Sequence, residues 1–284
     1  MDSSTFLGIT TFTYLFSSIL YAIVFIFKVQ KLGKIATWFT ALALIIQTFG
    51  IGLRWHESYE LGIGHAPLTN MYESVVFFAW TIVALYLFIE WKFKARVIGV
   101  FTVPLAFLAM AYASMSNDIS KSISPLVPAL QSNWLIAHVV TCFIGYAAFA
   151  VAAALGVMYL LKNRSSSPIE SHPQGLMASL PPLQVIDTIT HKMMVFGFIW
   201  LTAGIITGAV WANSAWGTYW SWDPKETWSL ITWFVYAITL HARYTRGWGG
   251  TRIAWLAIVG FIAVIFTYYG VNFLLSGLHS YGSS

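Results

Sequence analysis

Residues 134–160 read W-L-I-A-H-V-V-T-C-F-I-G-Y-A-A-F-A-V-A-A-A-L-G-V-M-Y-L, a run without a single Lys, Arg, Asp or Glu. A helix rises about 1.5 Å per residue and a bilayer core is about 30 Å thick, so an uncharged run of this length is read as a membrane span. Seven further apolar runs accompany it, at about 5–27, 34–53, 71–91, 97–114, 193–212, 224–242 and 253–275. The expected fold is an all-α polytopic membrane protein with about eight transmembrane helices, a single integral membrane domain over residues 1–284. The longest connection, 161–192, is polar with Pro and Ser, and no segment is long enough for a separate soluble domain. The first run is too long for a cleaved signal peptide and lacks a basic n-region and a small-residue cleavage site.

Composition agrees. The chain is 58% hydrophobic and 9% charged, against roughly 25% charged in soluble domains, and its mean hydropathy is +0.72. So few charges cannot cover a surface facing water, and the first partner is the lipid bilayer. A formal charge of +5 would suit a nucleic-acid binder only if Lys and Arg formed a patch. They are scattered between apolar runs, so no nucleic-acid partner is expected. The one cysteine, Cys142, excludes an internal disulfide, a C-x-x-C redox pair and a C-x-x-C-H segment for covalent haem attachment.

Basic residues assign the two faces. Lys28, Lys31, Lys34, Lys92, Lys94, Arg96, Lys162, Arg164, Lys192, Arg243, Arg246 and Arg252 fall in one set of connections, and Arg54, Lys121 and Lys225 in the other. The positive-inside rule puts the richer set, including the 161–192 connection, in the cytoplasm. Both termini are then external, as are the loops at about 54–70, 115–133 and 213–223. Chemistry is expected in those loops and in histidines near them.

The stretch 211–228 reads W-A-N-S-A-W-G-T-Y-W-S-W-D-P-K-E-T-W and holds five of the 14 tryptophans. An aromatic belt accounts for one or two such residues at a helix end. Trp216, Tyr219, Trp220 and Trp222 crowd into seven positions, with Gly217 and Ser221 keeping the backbone open, so several indoles are expected to line one flat surface for a planar, apolar ligand. Asp223, Pro224 and Glu226 occupy N-cap, N1 and N3 of the next helix, a capping-box pattern. These acids are read as mainly structural, and the cap holds the tryptophan loop rigidly against the helix start.

The segment W-G-T-Y-W-S-W-D-P-K-E resembles the tryptophan-rich WWD haem-handling motif of the CcsA/ResC proteins of cytochrome c biogenesis (System II). P-L-T-N-M-Y-E-S, residues 67–74, is similar to another segment of that family, and eight spans in a compact chain fit it too. The tryptophan motif is shared with the CcmC and CcmF families. CcmC has fewer spans and CcmF is much longer, so the resemblance favours CcsA/ResC.

Haem iron accepts neutral imidazole as an axial ligand, and two histidines on opposite ring faces close a six-coordinate site. His138 lies about one turn inside the outer end of the fifth span and His279 a few residues beyond the eighth, both on the face from which the tryptophan loop emerges. Either alone would be an ordinary interfacial histidine. The resemblance implies that haem b is held externally between these two, with Trp216, Trp220, Trp222 and Trp228 on the porphyrin and Asp223 fixing their loop. His241, near the inner end of the seventh span, reads as a helix C-terminal histidine favoured by the dipole. The resemblance adds a role for it as ligand of haem in transit within the membrane, the opposing histidine coming from a CcsB/ResB-type partner. His172 and His191 fall in the cytoplasmic connection. His56 and His65, in the first external loop, are read as solvated, and Cys142 as a small packing residue on the His138 face.

The resemblance implies a subunit of a cytochrome c synthase, or haem lyase, complex in a bacterial inner membrane or thylakoid membrane, facing periplasm or lumen. It would hold haem at the external face while two thiols of an apocytochrome c add to the vinyl groups. No catalytic triad or carboxylate pair is needed for that, and none is apparent. A b-type electron-transfer subunit is the alternative, although each membrane depth offers too few histidines for a self-contained pair except His138 with His279. An ion-coupled transporter is expected to carry charges within its spans, whereas Glu73 and Glu90 lie near span ends.

Overall fold

A computed structural model describes residues 2–117, 119–165 and 175–275. The described residues are helical and irregular, in the order α1 (Ser3–Phe27), α2 (Gln30–Glu60), α3 (Met71–Phe93), α4 (Gly99–Met115), α5 (Asn133–Ser165), α6 (Leu183–Trp216), α7 (Pro224–Arg246) and α8 (Thr251–Ile265). After α8 a π-helical turn (Phe266–Gly270) leads into a last helical turn, α9 (Val271–Leu274). The helices stop where local chemistry stops them. Asp2 and Asn70 cap α1 and α3 with side-chain acceptors, and Gly217 ends α6 in a left-handed conformation at φ 77°.

Seven helical segments among the described residues are long and apolar enough to span a bilayer. The expected eighth, α7, is a 23-residue helix but falls short in hydropathy. It carries Lys225 and Glu226 at one end, His241, Arg243 and Arg246 at the other, and Thr232 and Thr239 on its buried face. Thr232 meets Thr267 of the π turn at 2.9 Å, so α7 satisfies polar contacts within the bundle while Ile231, Phe234 and Ile238 stay exposed.

The most enclosed helix is α5, whose Ala147–Leu155 stretch is buried throughout. Small side chains let neighbouring backbones approach, the usual basis of helix packing in lipid, where burial of apolar surface alone discriminates little. Helix α6 lies closest to α5, with α8 and α3 on the other sides of α5; α2 and α4 pack on α3, α1 packs on α2 and α4, and α7 rests on α6 and α8. Phe12, Trp38, Ile45, Trp91, Leu108 and Ile199 point outward, a surface suited to lipid.

Helix ends differ from the apolar runs where water-facing turns extend a helix. α2 continues through Arg54–Glu60, and α6 starts at Leu183 rather than near 193, so His191 lies in α6 and not in a connection. The segment at 61–70 and the one at 116–132 meet at one end of the bundle. There Arg54 donates to Glu73 at 2.8 Å and to the Lys121 carbonyl at 2.9 Å. At the opposite end Arg243 pairs with Asp187 at 2.6 Å, and Arg96 with Glu90 at 3.1 Å.

Candidate functional site

Where α5 and α7 begin, α6 ends and the π turn passes, the bundle leaves a cavity of about 370 Å³, within the usual range for small-molecule pockets. His138 of α5 faces it, with Trp211 and Trp216 of α6, Tyr219 and Trp220 of the tryptophan loop, and Lys225 of α7. Phe143, Tyr146 and Tyr268 supply further aromatic wall and Leu130 and Leu135 an aliphatic side. The lining is mostly apolar, with a few convergent polar groups.

The imidazole of His138 is held in a defined state. Its Nδ1 lies 2.7 Å from the Gly204 carbonyl, and a carbonyl oxygen only accepts, so Nδ1 carries a proton. A backbone acceptor behind one ring nitrogen is the usual way a protein prepares the other for a metal. The ring fits because α6 has no side chain in its way. A Cβ at Gly208 would lie 2.6 Å from Nδ1 of His138, and one at Gly204 would lie 2.5 Å from Sγ of Cys142. Gly204 and Gly208 form a G-x-x-x-G pair on the face of α6 that meets α5. Trp211 stacks beside the imidazole with ring centres 5.9 Å apart and planes 19° from parallel.

The indoles do not make one flat surface. Trp211 and Trp216 meet edge to face, 4.9 Å apart at 62°, and so do Trp220 and Trp222, 5.7 Å apart at 87°. Edge-to-face contact suits the ring quadrupoles, and the backbone imposes the rest. Trp222 takes a left-handed φ of 60°, which turns its side chain outward to 68% exposure. The capping box at α7 is present as the sequence indicates: Asp223 Oδ1 accepts from the Lys225 amide, and Glu226 accepts from the amides of Asp223 and Ser221.

Of the expected site residues, the structure brings His138, Trp216 and Trp220 together around the cavity, while Asp223 is buried as the cap of α7. Trp222 stands outside it, against Trp220. Trp228 packs on Phe266 of the π turn with ring centres 4.2 Å apart. His241 is exposed on α7 near the opposite end. His172 and His279 lie outside the described residues.

His56 is exposed beside Glu60, in keeping with a solvated histidine. His65 is not solvated: it is buried, with Nδ1 3.0 Å from the Ala66 carbonyl and Nε2 3.2 Å from that of Ser124. It ties the two loops of this end together. Cys142 is buried, its Sγ 3.7 Å from Nδ1 of His138, and packs into the space that Gly204 leaves. Trp211 and Lys225 are cavity residues that the sequence reading did not single out for binding. A G-x-x-x-G facing a histidine turn for turn was the signal available for Gly204 and Gly208. The direction of Lys225 depends on helix phase and had no such signal.

An all-helical membrane bundle with an imidazole directed into an aromatic cavity defines the class. The family described as cytochrome C assembly protein matches residues 68–279. The chain is 41% identical to the cytochrome c biogenesis protein CcsA of Guillardia theta, covering 97% of this chain and 95% of the relative. It is 40% identical to that of Porphyra purpurea, covering 90% and 89%, and 38% identical to that of Gloeobacter violaceus, covering 90% and 88%. In fold it is similar to the cytochrome c haem lyase CcmF, with a TM-score of 0.68 at 17% identity, over 94% of this chain but 47% of that one. The chain belongs to the cytochrome c assembly protein family, where it is of the CcsA type. Its role is in cytochrome c biogenesis, and with that role come haem and apocytochrome c.

Proposed function

We propose that the chain takes up haem b, holds it in the His138 cavity at the external face of the membrane, and presents it to apocytochrome c for thioether formation. The observation that carries this reading is His138, its Nδ1 held by the Gly204 carbonyl and its side chain lining an aromatic cavity. His279 supplies the second axial ligand. Trp216 and Trp220 form the walls of the haem site, Trp222 packs behind Trp220 at its mouth, Trp228 braces the start of α7 against α8, and Asp223 fixes the loop.

The reaction asks little acid–base work of the protein. In each addition a cysteine sulfur bonds to one vinyl carbon and the thiol hydrogen ends on the other, with no leaving group and no net electron transfer. Axial ligation governs the iron, the cavity excludes competing oxidation, and fixed orientation of two vinyls toward two thiols supplies rate through proximity. The cavity is assigned to the external face because the connections at its end hold Arg54, Lys121 and Lys225 and those at the other end the remaining 12 basic residues. The membrane is a bacterial inner membrane or a thylakoid membrane. His241, exposed on α7, contributes to a haem site shared with a CcsB/ResB-type partner. Co-expression in a host stripped of its own cytochrome c maturation tests the whole: covalent haem in a reporter cytochrome is expected with both chains, and maturation by this chain alone contradicts the shared site.

A further inference from the structure

Next to the His138 cavity, at the same end of the bundle, lies a second hollow of about 730 Å³, walled by the end of α2, the turn that follows it and the segment 125–136. Leu130 and Leu135 line both hollows, while Val127 lines only the first and Leu126 only the second, so this segment is the partition between them. Among the described residues the lining of the second hollow has no Lys, Arg, Asp or Glu, and nothing in it would pair with a phosphate or another charged ligand. The histidine in it, His65, has its ring nitrogens against the carbonyls of Ala66 and Ser124 and is engaged as a tie between loops rather than offered to a metal. What the hollow presents is neutral hydrogen-bonding groups, Gln131, Ser132 and Asn133, beside the exposed side chains of Trp55, Tyr59 and Leu61. Neutral hydrogen bonds next to apolar and aromatic contacts are the surface that an extended peptide uses. The walls are set in advance: His65 holds the Ser124 carbonyl, and Gln131 donates to that of Leu126 at 2.9 Å. A groove already in place loses less freedom on binding.

We infer that this groove holds the C-x-x-C-H segment of apocytochrome c beside the cavity that holds haem. This rests on the haem-holding reading and adds where the thiol-bearing chain lies. Two cysteine sulfurs must come within bonding reach of a ring seated in the His138 cavity, and a peptide in a hollow that shares two walls with that cavity satisfies the demand. The groove contributes through proximity. Tyr59 and Gln131 are positioning residues in this scheme and take no part in bond formation.

Fluorescence anisotropy of a labelled apocytochrome peptide spanning C-x-x-C-H, with both cysteines replaced by serine so that it docks without reacting, tests this on the full chain in detergent, both haem-loaded and stripped of haem. Gln131→Trp puts an indole into the groove from an exposed position, and Tyr59→Ala removes part of a wall. Each is expected to weaken peptide binding about tenfold or more with the Soret band unchanged. His56→Ala, exposed at the same end and lining neither hollow, is expected to leave both readouts as in wild type. Undiminished binding in both groove variants, or no binding by wild type, overturns the inference and leaves the haem site standing. So does binding by the haem-loaded chain alone, which would be the peptide's own histidine on iron. If wild type shows no histidine-ligated haem, the haem-holding reading falls, and the stripped chain still reports on the groove: binding weakened by Gln131→Trp supports a peptide site there, and binding unchanged overturns it.

Discussion

Two helix starts at the same end of the bundle use the same device to different ends. At α3, Asn70 caps the helix and Glu73 at N3 accepts from the Thr69 amide and hydroxyl, both at 3.0 Å. At α7, Asp223 caps and Glu226 at N3 accepts from the amides of Asp223 and Ser221. Beside the α3 cap a cation meets the carboxylate: Arg54 pairs with Glu73, reaches the Lys121 carbonyl and covers the Tyr72 ring at 5.0 Å. Beside α7 lies a cavity, lined by His138, the indoles, Lys225 and Glu226. Capping makes a loop rigid in either case. What stands next to the cap decides whether that rigidity serves packing or binding.

The comparison breaks most readily at the α3 start. Arg54→Ala leaves Glu73, only 1% exposed at its side chain, as an uncompensated buried charge. A loss of about 3–5 kcal/mol is expected, read as a lower melting temperature or lower yield of folded protein in detergent. An unchanged melting curve would mean that the pair does not clamp this end. At the α7 start, Gly208→Leu drives a side chain against His138. Overpacking of this kind costs about 1–3 kcal/mol, and haem content is expected to fall in protein that still inserts. Retained haem would show that the imidazole does not need its glycine seat. Glu226→Ala removes one half of a capping box, worth about 1 kcal/mol. Its expected effect on stability is smaller than that of Arg54→Ala and its effect on haem retention larger, a reversal visible when both are measured on the same preparations. The smallest contrast is within the loop: Trp220→Ala is expected to weaken haem retention more than Trp222→Ala, because Trp220 lines the cavity and Trp222 is exposed.

How far the sequence was legible follows the same division. Spans announce themselves because lipid demands long apolar runs, and the cap at Asp223 is readable because Asp, Pro and Glu stand at fixed local spacing. What escaped depends on contacts made far along the chain. His65 looks like a loop residue until the 116–132 segment brings the Ser124 carbonyl to it. The first ten residues of α6 are polar enough to read as a connection, yet Asp187 is matched there by Arg243 and the Gly250 amide. The side-chain directions of Trp222 and Lys225 were the least accessible. A left-handed backbone turns one outward and helix phase carries the other inward, and neither follows from hydrophobic pattern.

The central claim is that His138 offers its Nε2 to iron, and the absorption spectrum of the purified chain tests it most directly. Wild type is expected to show a six-coordinate, bis-histidine b-type haem. His138→Gly and His279→Gly are each expected to lose most of that haem and to regain it when imidazole is supplied. A spectrum and haem content unchanged by His138→Gly would contradict the account.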